Sequence, residues 1–367
     1  MTAHSGAAVA VAMSGGVDSS VAALLLARDG YRVVGLTMRL FDQETAQLSP
    51  DTHRGCCSLE AVYRAQAVCR TLDLPHYTVN LVADFDRYVI GDFVAEYLEG
   101  RTPNPCVRCN TWLKWGLLFD KARALGCDYL ATGHYAKIEV RGGETWLLRA
   151  EDRSKDQAYA LWGIPRERLA RTLLPLGGLT KSRVREIAAE LDLRTARTPE
   201  SQEICFIPDR DYGGFLARRR PDLPVEQPGE MLEREGDTLR PAGRHRGYHH
   251  YTVGQRKGLG GGFDEPRFVL ETDPRDNRVI IGRRGALARE AFTVDQPNWL
   301  IEPPAQPLPV EVQIRYRSPA VSGRVEPDGD RVRVRLDRPA EAVAPGQSAV
   351  FFQGDRVLGG GRIIQVI

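Results

Sequence analysis

A chain of 367 residues, 42% hydrophobic and 27% charged, has the make-up of a soluble globular protein and the length for two or three domains. No run of about 18 apolar residues occurs, so a hydropathic membrane helix is excluded. A net charge of +2 by itself points to no particular partner.

In chain order, the apolar run Ala7 to Ala12 reads as a buried strand, and Val21 to Leu26 as a buried helix. Tyr31 to Leu40 is β-branched and apolar, a second strand. Ser58 to Leu72 has helical spacing, and a short strand is expected near His76 to Val79. Asp84 to Leu98 and Thr111 to Leu125 read as helices. Asp128 to Thr132 reads as a strand ending at Gly133-His134. Thr180 to Leu191 reads as a helix with Thr180 as its N-cap. This alternation predicts an α/β domain with a parallel sheet covered by helices on both faces, its ligands at the carboxyl ends of the strands. Past Cys205 the texture changes. Gly and Pro become frequent, and short β-like runs recur at Tyr251–Val253, Phe268–Glu271, Arg278–Ile281, Val310–Tyr316, Arg331–Leu336, Ala349–Phe352 and Arg362–Ile367. Three units are expected, 1–212, 213–285 and 286–367, the last two small and β-rich. Met1 to Gly6 lacks the basic and apolar pattern of a secretory signal, and the cytoplasm is the expected compartment.

Between the first strand and helix lies Ala12-Met13-Ser14-Gly15-Gly16-Val17-Asp18-Ser19-Ser20. A strand, a Gly-rich turn and a helix N-terminus make an anion cradle, because unbonded backbone N–H groups and the helix dipole both favour negative charge there. Ser14, Ser19 and Ser20 add hydroxyl donors, and Asp18 could hold a magnesium ion. No Lys follows the glycines as a Walker loop requires, and no G-x-G-x-x-G is present. The run resembles the pyrophosphate loop of the ATP pyrophosphatase superfamily, whose members cleave ATP between the α- and β-phosphates and leave AMP on an oxygen.

All seven cysteines lie at or before Cys205, which argues against a disulfide scaffold and for thiol chemistry or metal binding. Thr102 to Asn110 is a Pro-rich approach to a helix with Cys106 and Cys109 near its N-terminus, a position that favours the thiolate. A lone C-x-x-C leaves redox, zinc and iron–sulfur use open. Cys205 stands far downstream in Ile204-Cys205-Phe206. Cys69 and Cys127 sit in apolar settings and read as core.

Taken in order, the Ser14–Ser20 loop, the run ending at Cys109-Asn110, Thr132-Gly133-His134-Tyr135, Lys155-Asp156-Gln157, Ile204–Phe206, Tyr251 to Leu259 and Ile314 to Arg317 resemble the tRNA-specific 2-thiouridylases, over almost the whole chain. That resemblance implies ATP-dependent transfer of sulfur to C2 of a wobble uridine, with tRNA as substrate, ATP and Mg2+ as cofactors, and a sulfur-donor protein or sulfide as source. It implies a persulfide on Cys205, Cys109 as nucleophile, and a Cys109–Cys205 disulfide left behind for a reductant to reset. Many members of the family carry Asp where this chain has Cys106. Cys106, Cys109 and Cys205 could therefore ligate three irons of a 4Fe-4S cluster, an alternative that stays open beside a spectator role for Cys106. Cys56-Cys57 resembles a family feature without an assignable role. The resemblance places Ala12 to Ser19, Met38 and Gly133 at the nucleotide. It places His134, Lys155, Asp156, Gln157, Arg315, Tyr316 and Gln347 at the tRNA; an Arg-Tyr pair suits reading of unpaired bases by stacking. Gly258 to Gly262 reads as a turn and not as a phosphate loop. The competing class is an amide ligase sharing the pyrophosphate loop, which needs no paired reactive cysteines.

Overall fold

The computed structural model describes residues 6–41, 59–190, 204–222 and 227–367. Cys56-Cys57 lies outside the described residues.

Strands β1 (Ala8–Ala12), β2 (Arg32–Arg39), β3 (His76–Asn80), β4 (Tyr129–Thr132) and the short β7 (Thr172–Leu173) form one sheet in the order β3-β2-β1-β4-β7. Every pairing in it is parallel. The longer helices among the described residues are α1 (Val17–Arg28), α2 (Leu59–Thr71), α3 (82–98), α4 (105–124), α5 (Lys181–Glu190) and α6 (Tyr212–Arg219). β1 is almost wholly buried, so its residues face apolar layers on both sides, as a central parallel strand must. Val9 and Val11 join α1, α2 and α5 side chains in one cluster, with Cys69 among them. Ala8 and Ala10 join α3 and α4 in another, with Cys127, Phe93 and Trp115. Burial pushes the Cys69 thiol up to about 11 and raises Cys127 as well, so both behave as core groups.

The hairpin β5 (Ala136–Arg141) and β6 (Glu144–Arg149) turns at Gly142-Gly143, both at positive φ. Its two glycines are a hairpin signal that the strand count from sequence omitted. It does not join the parallel sheet. Instead β6 pairs with the C-terminal strand at Leu148–Arg356.

Two β units follow. β8 (Gly229–Glu235), β9 (Thr238–His245), β10 (Phe268–Asp273) and β11 (Arg278–Gly282) make a four-stranded sheet. β12 (Ala288–Trp299), β13 (Leu308–Gln313), β14 (Val321–Asp328), β15 (Arg331–Glu341), β16 (Ser348–Gln353) and β17 (Arg356–Val366) pair in the order β12-β15-β14-β13-β16-β17, and the sheet closes through β12–β17. Alternating burial along β14 and β15 gives the barrel its apolar lining. The expected strand Tyr251–Val253 is a turn: Gln255 N–H donates to Thr252 O at 2.9 Å, and Gly254 closes it at φ +87°. The strand expected over Val310–Tyr316 ends at Gln313, because a turn bonded Ser318 N–H to Arg315 O follows, with Arg317 at φ +64°. Gly258 to Gly262 is neither helix nor strand. In the basic run Arg218–Arg220, Arg219 pairs with Asp86 and Arg220 with Asp222, an ordinary solvated surface.

Candidate nucleotide and sulfur-transfer site

The loop between β1 and α1 is shaped by two glycines. Gly15 adopts φ +68°, and a Cβ there would stand 2.3 Å from the Ala61 carbonyl oxygen, so only glycine fits. Gly16 caps α1 in extended conformation and supplies no side chain to the cap, which leaves the first-turn N–H groups to a ligand. Ser19 Oγ donates to Gly16 O at 3.1 Å and accepts from Ser14 N–H at 3.2 Å, with Ser14 Oγ a further 3.2 Å away. These bonds hold the cradle in shape. Ser20, expected to add a donor, is fully buried and donates to Gly16 O at 2.9 Å. Val17 is also buried and can offer only its backbone.

A cavity of about 230 Å³ opens at the carboxyl ends of β1, β2 and β4. Ala12, Met13, Ser14, Asp18, Ser19, Met38 and Gly133, all expected at the nucleotide, line it together. His134 and Gln157, expected at the RNA, line the same cavity, together with Leu36, Lys114 and Thr132. Gly133 is required by close approach: a Cβ there would lie 2.7 Å from the Asp18 carbonyl carbon, where β4 meets the start of α1.

Lys181 is a buried cation beside the loop that the sequence reading missed. It opens α5, where Thr180 Oγ1 accepts from Arg183 N–H at 3.3 Å as the expected N-cap. Its buried ammonium donates to both Asp18 oxygens at 2.7 Å, and the Tyr135 hydroxyl donates to Asp18 Oδ1 at 2.7 Å. A cation thus stands against Asp18 of the loop, although the loop itself has no Walker lysine. Its only sequence signal is its place at the N-terminus of a capped helix. Lys114 brings a second ammonium, donating to Asn110 Oδ1 at 2.7 Å and lying 3.4 Å from His134 Nε2. Lys114 can only donate, so His134 Nε2 accepts and Nδ1–H donates to Thr132 Oγ1 at 2.7 Å. Burial first, and the Lys114 charge second, hold the His134 imidazole well below its ordinary range. It is a neutral, oriented ring.

The cysteine turn belongs to α4, which starts earlier than expected, at Pro105. Asn104 Oδ1 caps it by accepting Val107 N–H at 3.4 Å, and Pro105 sits at N1. From Cys109 to Leu118 the helix widens to π geometry, a form common at functional sites. Cys106 is exposed and Cys109 half-buried. Asn110 Nδ2 donates to Ala160 O at 2.9 Å, which ties Cys109-Asn110 to the segment after Gln157. Cys205 is half-buried and packs, like Cys109, against the cluster formed by α3 and α4. Phe206 anchors it there, edge-on to Phe85 and Phe93. Among the described residues no three His, Cys, Asp or Glu side chains form a metal-holding group. The three thiols as arranged here do not fit a cluster.

Of the residues expected at the RNA, Tyr316 is 42% exposed, with the Arg317 guanidinium over its ring at 5.3 Å. Lys155 is half-buried. The others are engaged within the chain. Asp156 accepts from Ala150 N–H at 2.8 Å and from Arg149 at 3.0 Å. Gln157 Oε1 accepts from Tyr135 N–H at 2.9 Å. Arg315 donates to Val253 O and Ala342 O, bracing the barrel against the preceding unit. Gln347 Nε2 donates to Thr102 O at 2.9 Å.

Family models match three stretches of the chain. One described as "tRNA methyl transferase HUP domain" matches residues 7–209, one described as "tRNA methyl transferase PRC-barrel domain" 215–283, and one described as "Aminomethyltransferase beta-barrel domain" 289–363. The chain is 46% identical to the "tRNA-specific 2-thiouridylase MnmA" of Amoebophilus asiaticus over 97% of its length and 94% of that relative. It is 47% identical to the protein of the same name from Moorella thermoacetica, over 97% and 99% of the two chains. With the one from Magnetococcus marinus it shares 45% over 97% and 98%.

Proposed function

The chain belongs to the tRNA-specific 2-thiouridylase family, and from that premise we propose that it is a tRNA-uridine 2-sulfurtransferase that adenylates the C2 oxygen of a uridine and replaces it with sulfur. The observation that carries this reading is the double use of α4: Lys114 lines the candidate nucleotide cavity, and Cys109 lies on the same helix little more than one turn earlier. Activation and sulfur delivery can then act on one base.

ATP would lie with its adenine against Met38 and Gly133 and its phosphates on the Ser14–Ser19 loop. The uracil O2 attacks the α-phosphorus, and pyrophosphate leaves. Lys181, bonded to Asp18 of the loop, would take up negative charge as it develops on the leaving phosphates, and the bond from Tyr135 supports the Asp18 orientation. Magnesium would be held chiefly by the phosphates, with Asp18 the one carboxylate among the described residues that lines the cavity. When bound it would shield phosphate charge. Neutral His134 can offer no net charge and serves to orient the incoming base. A persulfide on Cys205 then meets the Cys109 thiolate. Attack at the inner sulfur forms the Cys109–Cys205 disulfide and expels hydrosulfide. Hydrosulfide adds at C2, AMP departs with the original oxygen, and one proton is lost. A dithiol returns the disulfide to two thiols. Residues 1–212 would carry this chemistry, and 213–285 with 286–367 would hold the tRNA, Tyr316 stacking on an unpaired base. Methyl transfer, which the family models' descriptions name, calls for no phosphate cradle.

The test is anaerobic incubation of the protein with uridine-bearing tRNA, Mg-ATP and sulfide or a persulfide donor, followed by nucleoside mass spectrometry. Thiouridine with AMP and pyrophosphate is the expected product. Cys109→Ser and Cys205→Ser should each abolish persulfide-dependent thiolation while sparing tRNA binding; unchanged activity in both sinks the mechanism. Iron measured on the same sample separates the cluster alternative, since thiolation that strictly requires iron would move sulfur delivery to Cys106, Cys109 and Cys205 together. Pyrophosphate released only when an amine acceptor is supplied would mark an amide ligase instead.

A further inference from the structure

The residues that carry the cysteines are held by groups far away in the chain. Helix α3 presents Asp92 and Glu96 one turn apart, and Glu96 is 3% exposed. Glu96 accepts two bonds from Arg101, at 2.9 Å to Nε and 2.6 Å to Nη2. Asp92 faces Arg108, the residue just before Cys109, at 3.3 Å. The two ends of the segment 101–108 are therefore tied to one pair of carboxylates. Arg362 of β17 completes the arrangement from the barrel, reaching Asp92 at 2.7 Å and Glu96 at 2.8 Å.

Further bonds cross the same junction. Thr102 N–H donates to Pro345 O at 2.8 Å, and its carbonyl accepts from Gln347 Nε2 at 2.9 Å. Gly346 presses so close that a Cβ there would meet the Thr102 backbone at 2.8 Å. From the four-stranded sheet and the turn before it, the Thr272 hydroxyl donates to Gly100 O at 2.6 Å and the Tyr248 hydroxyl to Leu98 O at 2.8 Å. Every one of these bonds lands within residues 92–108. None of them touches the phosphate cradle.

Arginine suits this junction because its planar fork can satisfy two carboxylates at once, whereas a lysine offers a point charge that serves one of them well. Buried pairs of this kind contribute little net stability compared with an apolar replacement, but they enforce one geometry. What they enforce here is the position of the Cys106–Cys109 turn.

We propose that Glu96 and Arg362 are positioning residues for sulfur transfer, holding the cysteine turn of α4 in register with the barrel that bears Tyr316. RNA gripped by the barrel is thereby presented to a thiol whose place the barrel itself sets. This rests on the function proposed above and adds to it residues that touch neither nucleotide nor reacting sulfur.

Arg362→Gln is the first variant, because Glu96 keeps Arg101 and Asp92 keeps Arg108 when Arg362 is lost. Glu96→Gln is the second, and Arg362→Lys the conservative rescue. Four quantities are measured on the full-length protein: single-turnover thiolation, pyrophosphate release, tRNA affinity, and the alkylation rate of Cys109 by iodoacetamide followed on its peptide. Arg362→Gln should slow thiolation about tenfold or more and alter the Cys109 alkylation rate, with pyrophosphate release and tRNA affinity within about twofold of the parent. Arg362→Lys should recover part of the loss. Thiolation and alkylation both unchanged overturn the proposal, as does a parallel fall in all four quantities, which would make the junction a general stabiliser. If the parent protein makes no thiouridine, it is the proposed function that fails; the alkylation rates of the variants still decide whether Glu96 and Arg362 position Cys109.

Discussion

The phosphate cradle and the cysteine turn face a common task but are built in opposite ways. The cradle is nearly self-sufficient: Ser14, Gly16, Ser19 and Ser20 bond to one another within a few residues. The cysteine turn depends on Asp92, Glu96, Thr272, Pro345, Gln347 and Arg362, from three different parts of the chain. The proposed phosphate site thus starts from one strand–turn–helix, to which Arg64, Tyr135 and Lys181 add bonds from farther along the chain. Sulfur delivery is a property of the whole assembly, and damage at a distance should reach it first.

Lys181 brings a buried cation to Asp18 from outside the loop, and its removal should have the largest effect. Lys181→Met should lower pyrophosphate release by about 10²–10³-fold, the range for deleting one preorganised charge-stabilising donor. Stopped-time assays with labelled ATP would measure it, and a loss below about threefold would assign Lys181 a purely structural place beside Asp18. Gly133→Ala comes next. The added methyl would collide with the Asp18 backbone at 2.7 Å, and overpacking of this kind costs about 1–3 kcal/mol. A lowered denaturant midpoint together with weakened ATP binding is expected, while alkylation of Cys109 stays near the parent rate.

Tyr316 and Arg315 sharpen the contrast on the RNA side, for adjacent residues should behave differently. Tyr316→Ala should weaken tRNA binding by about 1 kcal/mol, the low end for a single base stack, and leave stability unchanged. Arg315→Ala should lower stability instead, because Val253 O and Ala342 O both lose their donor. Filter binding and chemical denaturation on the two variants separate these outcomes.

The smallest effect concerns pH. His134 is held neutral, with its folded pKa below the ordinary imidazole value of about 6.5. Its contribution to stability is therefore complete above that value. It is lost as pH falls below it, where the unfolded chain binds a proton that the folded chain refuses. His76 and His245, also lowered by burial, act in the same direction. The denaturation midpoint should fall between pH 7.5 and pH 5.5 by less in His134→Asn than in the parent, whereas the activity profile of the parent should carry no inflection from this ring near 6.5. An activity inflection that vanishes in His134→Asn would show the ring to titrate in use.

Much of the nucleotide site was legible because its residues are neighbours in sequence or stand at strand ends. Ser14 to Ser19 is a continuous motif, and Met38 and Gly133 close β2 and β4, where a parallel sheet must place its ligands. Lys181 was not legible, since nothing in a helix start says which carboxylate its first side chain will meet. The RNA set was read from resemblance, and the structure divides it. Tyr316 lies open, while the side chains of Asp156, Arg315 and Gln347 make bonds inside the molecule. A polar residue in a loop looks the same in sequence whether its partner is solvent, RNA or a carbonyl far along the chain.

The sequence by itself determined the parallel sheet, the cradle, the core placement of Cys69 and Cys127, and the β-rich second half, because each rests on periodicity, glycine freedom or a short contiguous motif. Tertiary structure alone decided that the 136–149 hairpin leaves the parallel sheet for the barrel, that Lys181 joins Asp18, and that Arg362 closes over Asp92 and Glu96. Each of these is a pairing between residues more than 150 positions apart. No local pattern records such pairings, because they exist only once the hydrophobic layers have packed and the remaining buried charges must find one another.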